Sequence, residues 1–177
     1  MDWRAEVLDQ LDFYWTMWRP GLDGLTDEEY FWEPVPDCWS LRRVDDGWAM
    51  DFAFPEPVPP PFTTIAWRLG HISGHVFAMR ANNHFGDASY RMDAPGYPGS
   101  AAAALAYLDE QKTLWRNGIG SLDVEGWETP VGPAEGPFAD RSYAALALHL
   151  NRELFHHGAE VSLLRDLYRA TAGRSLA

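Results

Sequence analysis

Asn151-Arg152-Glu153-Leu154-Phe155-His156-His157-Gly158-Ala159-Glu160 decides how this 177-residue chain folds. The stretch lies inside the longest run of helical periodicity, from Asp140 or Ser142 to about Thr171, with Gly173 just beyond as a stop. At about 100° per residue, Leu146, Leu150, Val161, Leu164 and Tyr168 fall within an arc of roughly 60°, so that arc faces a core. Glu153 and His157 fall on or at the edge of the same arc, and their i, i+4 spacing points both side chains the same way. A carboxylate on a core face demands a partner. Arg152 and Arg165 fall to either side of the arc, so the partner is expected from another helix or from a metal ion.

Upstream of this helix the pattern repeats three times. A first helix is expected from Trp3 to Arg19, stopped by Pro20-Gly21. A second runs from Thr63 or Thr64 to about Asn83, with Ile65, Leu69, Ile72, Val76 and Met79 as its apolar stripe. A third starts after Ser100, a suitable N-cap, and runs to about Gly118. Pro95-Gly96-Tyr97-Pro98-Gly99 separates the second from the third. Between the first and second lies a long irregular connection, Leu25 to Phe62, rich in proline and holding Trp32, Trp39 and Trp48. Its Pro55 to Pro61 run forbids a helix interior, Asp45-Asp46-Gly47 marks a turn, and Trp48 to Phe54 suits a short strand or hairpin arm. Much of this connection is expected to pack down. The fold expected is all-α: one domain, residues 1–177, built as a four-helix bundle whose last helix spans it end to end.

The second helix offers the missing partner. His71 and His75 stand at i, i+4 and border its apolar stripe. One of these histidines with Glu153 and His157 makes a two-His, one-carboxylate set, and three protein ligands leave a position open, as in a catalytic zinc site. The same set suits non-haem iron. The alternative is a metal-free core in which Glu153 and His157 form a hydrogen-bonded pair and His71 packs against tryptophans. His149 and His156 read as surface or supporting residues, Glu160 as an acceptor for a ligand histidine or a solvated acid, and His84 as a helix-end cap.

Composition narrows the function. Hydrophobic residues at 46% and charged residues at 23% exclude disorder. A net charge of −12 repels phosphate backbones and anionic membrane surfaces, so neither nucleic acid nor membrane is an expected partner. The single cysteine, Cys38, makes neither a disulfide nor a Cys-rich metal site. No apolar run reaches the roughly 20 residues of a membrane span. The N-terminus lacks the pattern of a secretory signal, so a cytoplasmic location is expected.

These residues resemble the DinB-like (YfiT-like) metalloenzyme superfamily, which is not a DNA-binding family despite its name. The resemblance is carried by the four helices with a long first connection, by Leu69-Gly70-His71-Ile72 in the second helix, and by Asn151 to Glu160 in the last. It covers roughly Trp3 to Tyr168. In the last helix the family carries a His-x-x-x-His segment; here Glu153 stands at its first histidine. The resulting triad, His71, Glu153 and His157, is similar to that of the mycothiol-dependent maleylpyruvate isomerase branch. The resemblance implies an antiparallel up-down-down-up bundle, often a homodimer. It also implies a divalent metal, zinc first with nickel or iron as alternatives, and a low-molecular-weight thiol of the mycothiol type as cosubstrate. The expected activity is a metal-dependent thiol S-transferase or thiol-dependent isomerase acting on a small electrophile. A non-catalytic metal- or ligand-binding bundle, a sensor or interaction module, is the alternative. Arg68 and Arg152 are candidates for holding an acidic substrate or the thiol's sugar, and His75 is a candidate acid/base group.

Overall fold

Helix starts follow their caps. In the computed structural model, which describes residues 2–45, 47–92 and 96–171, Asp2 accepts from the Arg4 amide and opens α1, Trp3–Trp18. Pro20 then tightens the chain into a 3₁₀ turn, Arg19–Leu22. Thr26 caps the short α2, Asp27–Tyr30. Thr64 accepts from the Trp67 amide at the start of α3, Ile65–Gly70, and Ser100 from the Ala103 amide at the start of α5, Ala101–Gly120. A short α6, Val124–Glu128, and a 3₁₀ segment, Pro133–Phe138, lead into α7, Tyr143–Thr171. The expected stop at Gly173 lies outside the described residues, as do Asp46 and Pro95.

Two features depart from the expected helices. The fold is mostly helical but carries a hairpin, β1 (Leu41–Val44) antiparallel to β2 (Gly47–Met50), with Leu41 opposite Met50. The expected arm over Trp48 to Phe54 ends early because the Asp51 carboxylate turns back to accept from the Ser40 amide and Arg42 Nε. The second helix, in turn, is not uniformly α. Between α3 and α4 (Met79–Phe85) the chain forms a π-helical turn, His71–Ala78, where hydrogen bonds reach five residues back. The wider turn rotates everything after it, so Phe77 and Ala81 are buried while Met79, expected in the stripe, is only half-buried.

The core gathers Leu11 and Trp18 from α1, Leu69, Ile72, Val76 and Phe77 from the second helical stretch, Leu108 and Trp115 from α5, and Leu146, Leu150, Leu154 and Val161 from α7. α3 and the π turn pack on both α5 and α7, and α1 packs on α7. At Gly158 a β-carbon would stand 2.6 Å from the Tyr14 hydroxyl, and its carbonyl accepts from Trp18 Nε1 at 2.8 Å, so α1 rides close on α7 there. Arg165 corrects the helical-wheel reading: it is buried, and its Nε donates to Glu29 Oε1 at 2.8 Å. Of the three loop tryptophans, Trp32 packs on Tyr168, Trp39 on Trp67 and Trp48 on Phe31, while Phe54, just before the proline run, and Val58 within it stay exposed. Among the described residues, no helix is long and apolar enough to cross a membrane.

Candidate metal centre

The first residue of the π turn faces the middle of α7. The His71 ring lies flat against Trp67, with centroids 5.4 Å apart and planes at 6°, and stands edge-on to His157 at 4.7 Å. Trp67 is held in turn by its Nε1, which donates to the Asp51 carbonyl at 2.9 Å, and by Trp39. Around the resulting gap, Glu153 Oε2 is 3.3 Å from His157 Nε2 and 3.9 Å from His71 Nε2. Ligand atoms around a tetrahedral metal with bonds of about 2.0–2.2 Å lie roughly 3.3–3.6 Å apart, so these three atoms are spaced close to what one ion needs. The structure thus brings together the expected trio of His71, Glu153 and His157, a group able to hold a metal ion.

Hydrogen bonding around the trio points the same way. His157 Nδ1 lies 2.7 Å from Glu160 Oε2 and 3.2 Å from Arg68 Nη1; the shorter contact is to a carboxylate, which only accepts, and so favours the ring proton on Nδ1 with the Nε2 lone pair facing Glu153. Burial lowers the His157 pKa against the pull of Glu160, which favours this neutral form. His71 Nε2 is buried and has no hydrogen-bond partner. The neighbouring His71 ring first, then Arg152 and His149, draw the Glu153 carboxyl below its ordinary value against burial. At 3.9 Å that ring is a near approach, too long for a hydrogen bond. A carboxylate oxygen and an imidazole lone pair facing each other repel, and an unmatched buried nitrogen beside them is costly. A cation in the gap resolves all three, so the residues present fit a divalent metal.

A second set, His156, His157 and Glu160, is also close enough to share an ion. It would have to use His157 Nδ1, and a cation already sits there: Arg68 Nε is 3.0 Å from the same Glu160 oxygen. The first set is therefore the better metal centre.

The other expected site residues divide. Arg68 turns inward over the Trp67 ring toward Glu160 and His157 Nδ1, so it stands behind His157 and away from the residues that line the concave space outside. Burial pushes the Arg68 guanidinium down, while Glu160 and Glu56 pull it back up. Arg152 is exposed and lines, with Glu153, His156 and His157, a concave space of about 410 Å³ outside the centre. It lies off the core-facing arc as expected, yet donates to Glu153 Oε1 at 3.1 Å, which corrects the expectation that a partner for Glu153 comes only from another helix or a metal. His149 Nδ1 lies 3.4 Å from the same oxygen, and His156 is exposed near Glu160. His75 is not brought to the concave space. Its Nε2 meets the Tyr97 hydroxyl at 2.7 Å, and burial, then His71 and Arg80, push its pKa down to about 4.

One cluster gave no signal in the sequence. His84, expected as a helix-end cap, has its Nε2 3.0 Å from Glu135 Oε1, and Arg80 pairs with the same carboxylate at 3.1 Å. Glu135 lies in the Gly/Pro-rich stretch before α7, where periodicity marks no partner.

Comparison with curated proteins and with solved structures finds no match. The sequence pattern of one family does match, over residues 10–161, a span from α1 into α7 that takes in His71, Glu153 and His157. With a helical fold whose facing helices bring those three together, the chain belongs to the DinB superfamily.

Proposed function

We propose that this chain is a metal-dependent enzyme, a thiol S-transferase or thiol-dependent isomerase acting on a small electrophile. The observation that carries the reading is the buried, unpartnered His71 Nε2 aimed at Glu153 and His157. Those three residues hold the metal, zinc first, with nickel or iron as alternatives. When bound, such a metal lowers the pKa of a thiol so that the nucleophilic thiolate exists at neutral pH. Glu160 keeps the His157 proton on Nδ1, and Arg68 holds Glu160 in place. Trp67 covers one face of His71 and excludes water from it. Arg152, at the mouth, attracts an anionic group on the thiol or the electrophile, and the concave space has the size of a small-molecule site. A low-molecular-weight thiol of the mycothiol type is the cosubstrate of this reading.

The rest of the reading goes with it: one four-helix-bundle domain with up-down-down-up order, cytoplasmic, binding neither nucleic acid nor membrane. Exposed Phe13 and Met17 on α1 and Leu163 on α7 favour a homodimer that covers them. A non-catalytic metal- or ligand-binding bundle is the second reading, favoured by His75, which is turned to Tyr97 and leaves the concave space without the expected acid/base group.

The test is metal analysis of untagged protein, followed by conjugation assays with small thiols and a panel of electrophiles. About one equivalent of divalent metal, lost in His157→Ala, is expected together with conjugate formation. Absence of metal and of zinc uptake overturns the enzyme, and bound metal without conjugation leaves the binding bundle.

A further inference from the structure

The π turn that presents His71 ends in an unusual backbone arrangement. The Met79 amide still reaches five residues back, to the Gly74 carbonyl, and the chain is α-helical from Met79 onward. A five-back register followed by a four-back register passes over one carbonyl, that of His75, and a carbonyl skipped in this way needs another donor. The donor is a side chain from the next turn: Arg80 Nη1 donates to the His75 oxygen. Arg80 is not free to swing away. Its Nε and Nη2 donate to the two oxygens of Glu135 at 3.2 and 3.1 Å. His84 Nε2 meets Glu135 Oε1 at 3.0 Å, and His84 Nδ1 meets the hydroxyl of Tyr143, the first residue of α7, at 3.2 Å. The His84 and Glu135 side chains are nearly shut off from water, 2% and 7% exposed, with Arg80 at their edge 16% exposed.

We infer that Arg80, clamped by Glu135, is a positioning residue for the metal centre. It completes the π turn that aims His71, and through Glu135, His84 and Tyr143 it ties that turn to the start of the helix carrying Glu153 and His157. The two ligand-bearing elements are thereby held in one register from outside the site. The link to the centre rests on the metal reading above; the clamp on the π turn does not.

The test uses the full chain and two readouts, with cobalt as the probe metal. In metal-free protein, Arg80→Met exchanges the amides of residues 75–80 about tenfold faster or more, because the skipped carbonyl no longer holds the turn. Its cobalt dissociation constant rises about 10–100-fold, as for other groups that orient a ligand, and the visible cobalt band changes shape. Arg80→Lys, which keeps a cation and a donor, returns both to within about threefold of wild type. Unchanged exchange in Arg80→Met, or weakened cobalt binding that Arg80→Lys does not rescue, overturns the inference. If Arg80→Met does not fold, Glu135→Gln carries the same two readouts, and wild-type values in it overturn the inference equally. Wild-type protein that binds no cobalt defeats the metal reading alone, and the exchange readout still decides the clamp.

Discussion

Two polar clusters share α7, about two turns apart, and they are built on opposite principles. At Arg165 each guanidinium nitrogen meets an acceptor: Nε reaches Glu29, Nη2 the Asp23 carbonyl at 2.8 Å, and Nη1 the Gly21 carbonyl. At His157 the reverse holds, since a lone pair faces a carboxylate oxygen and a buried His71 nitrogen beside them meets nothing. The first cluster is the more deeply buried, with Arg165 and Glu29 side chains only 3% and 5% exposed. Burial of charge therefore does not mark the functional site. Polar groups that converge without matching each other mark the candidate metal centre instead, because a bound cation would match all of them at once.

That contrast can be broken at either end. Arg165→Met strands the Glu29 carboxylate and two carbonyls, and should cost about 3–5 kcal/mol in denaturant unfolding while zinc affinity stays as in wild type. Adding Glu29→Gln to that variant should recover much of the loss, since the stranded charge is then gone. A small loss would mean that the pair is not closed as described. At the other end, zinc at about 100 times its dissociation constant should stabilise wild type by roughly 2.7 kcal/mol and His157→Ala not at all. Equal shifts in both would remove His157 from the centre. Glu160→Gln sharpens the comparison further: it should weaken zinc about 10–100-fold, because the His157 tautomer is no longer held. An unchanged zinc affinity in that variant would show that Glu160 does not support the ligand.

What the sequence shows and what it hides follow the same division. The spacing of Glu153 and His157 is local, so one helical period places both on a face; a second helix read the same way offers His71 or His75, and it is the family resemblance that picks His71. The burial of Arg165 is not local: its partner is 136 residues away, and a helical wheel sees only one helix. The π turn is hidden for a related reason. Its register accompanies tertiary packing at two glycines, where a β-carbon on Gly70 would stand 2.8 Å from Met50 and one on Gly74 2.9 Å from the Tyr90 hydroxyl. A glycine in a helical pattern signals close approach but not what approaches. The hairpin was half legible, because its turn residues are local while Asp51, which ends it, acts through Ser40 and Arg42.

The smallest expected effect asks whether the Arg80–Glu135–His84 cluster belongs with the closed kind. Burial pushes the Glu135 carboxyl up, but hydrogen bonds from His84 and Arg80 outweigh it and hold the group below its ordinary value. A carboxylate depressed in this way contributes stability that is complete above the unfolded-state value, about 4.3, and is lost as pH falls through the folded one. The groups facing it are Arg80, His84 and Tyr143, with His149 within electrostatic reach. Metal-free wild type should therefore lose stability on acidification more steeply than Glu135→Gln, by at most about 1.4 kcal/mol per pH unit, the limit for one proton. Denaturant midpoints collected between about pH 6 and pH 3 measure the difference. Parallel acid limbs would show that Glu135 is not held by its neighbours, and the cluster would then stand with the unmatched one at His157 rather than with Arg165.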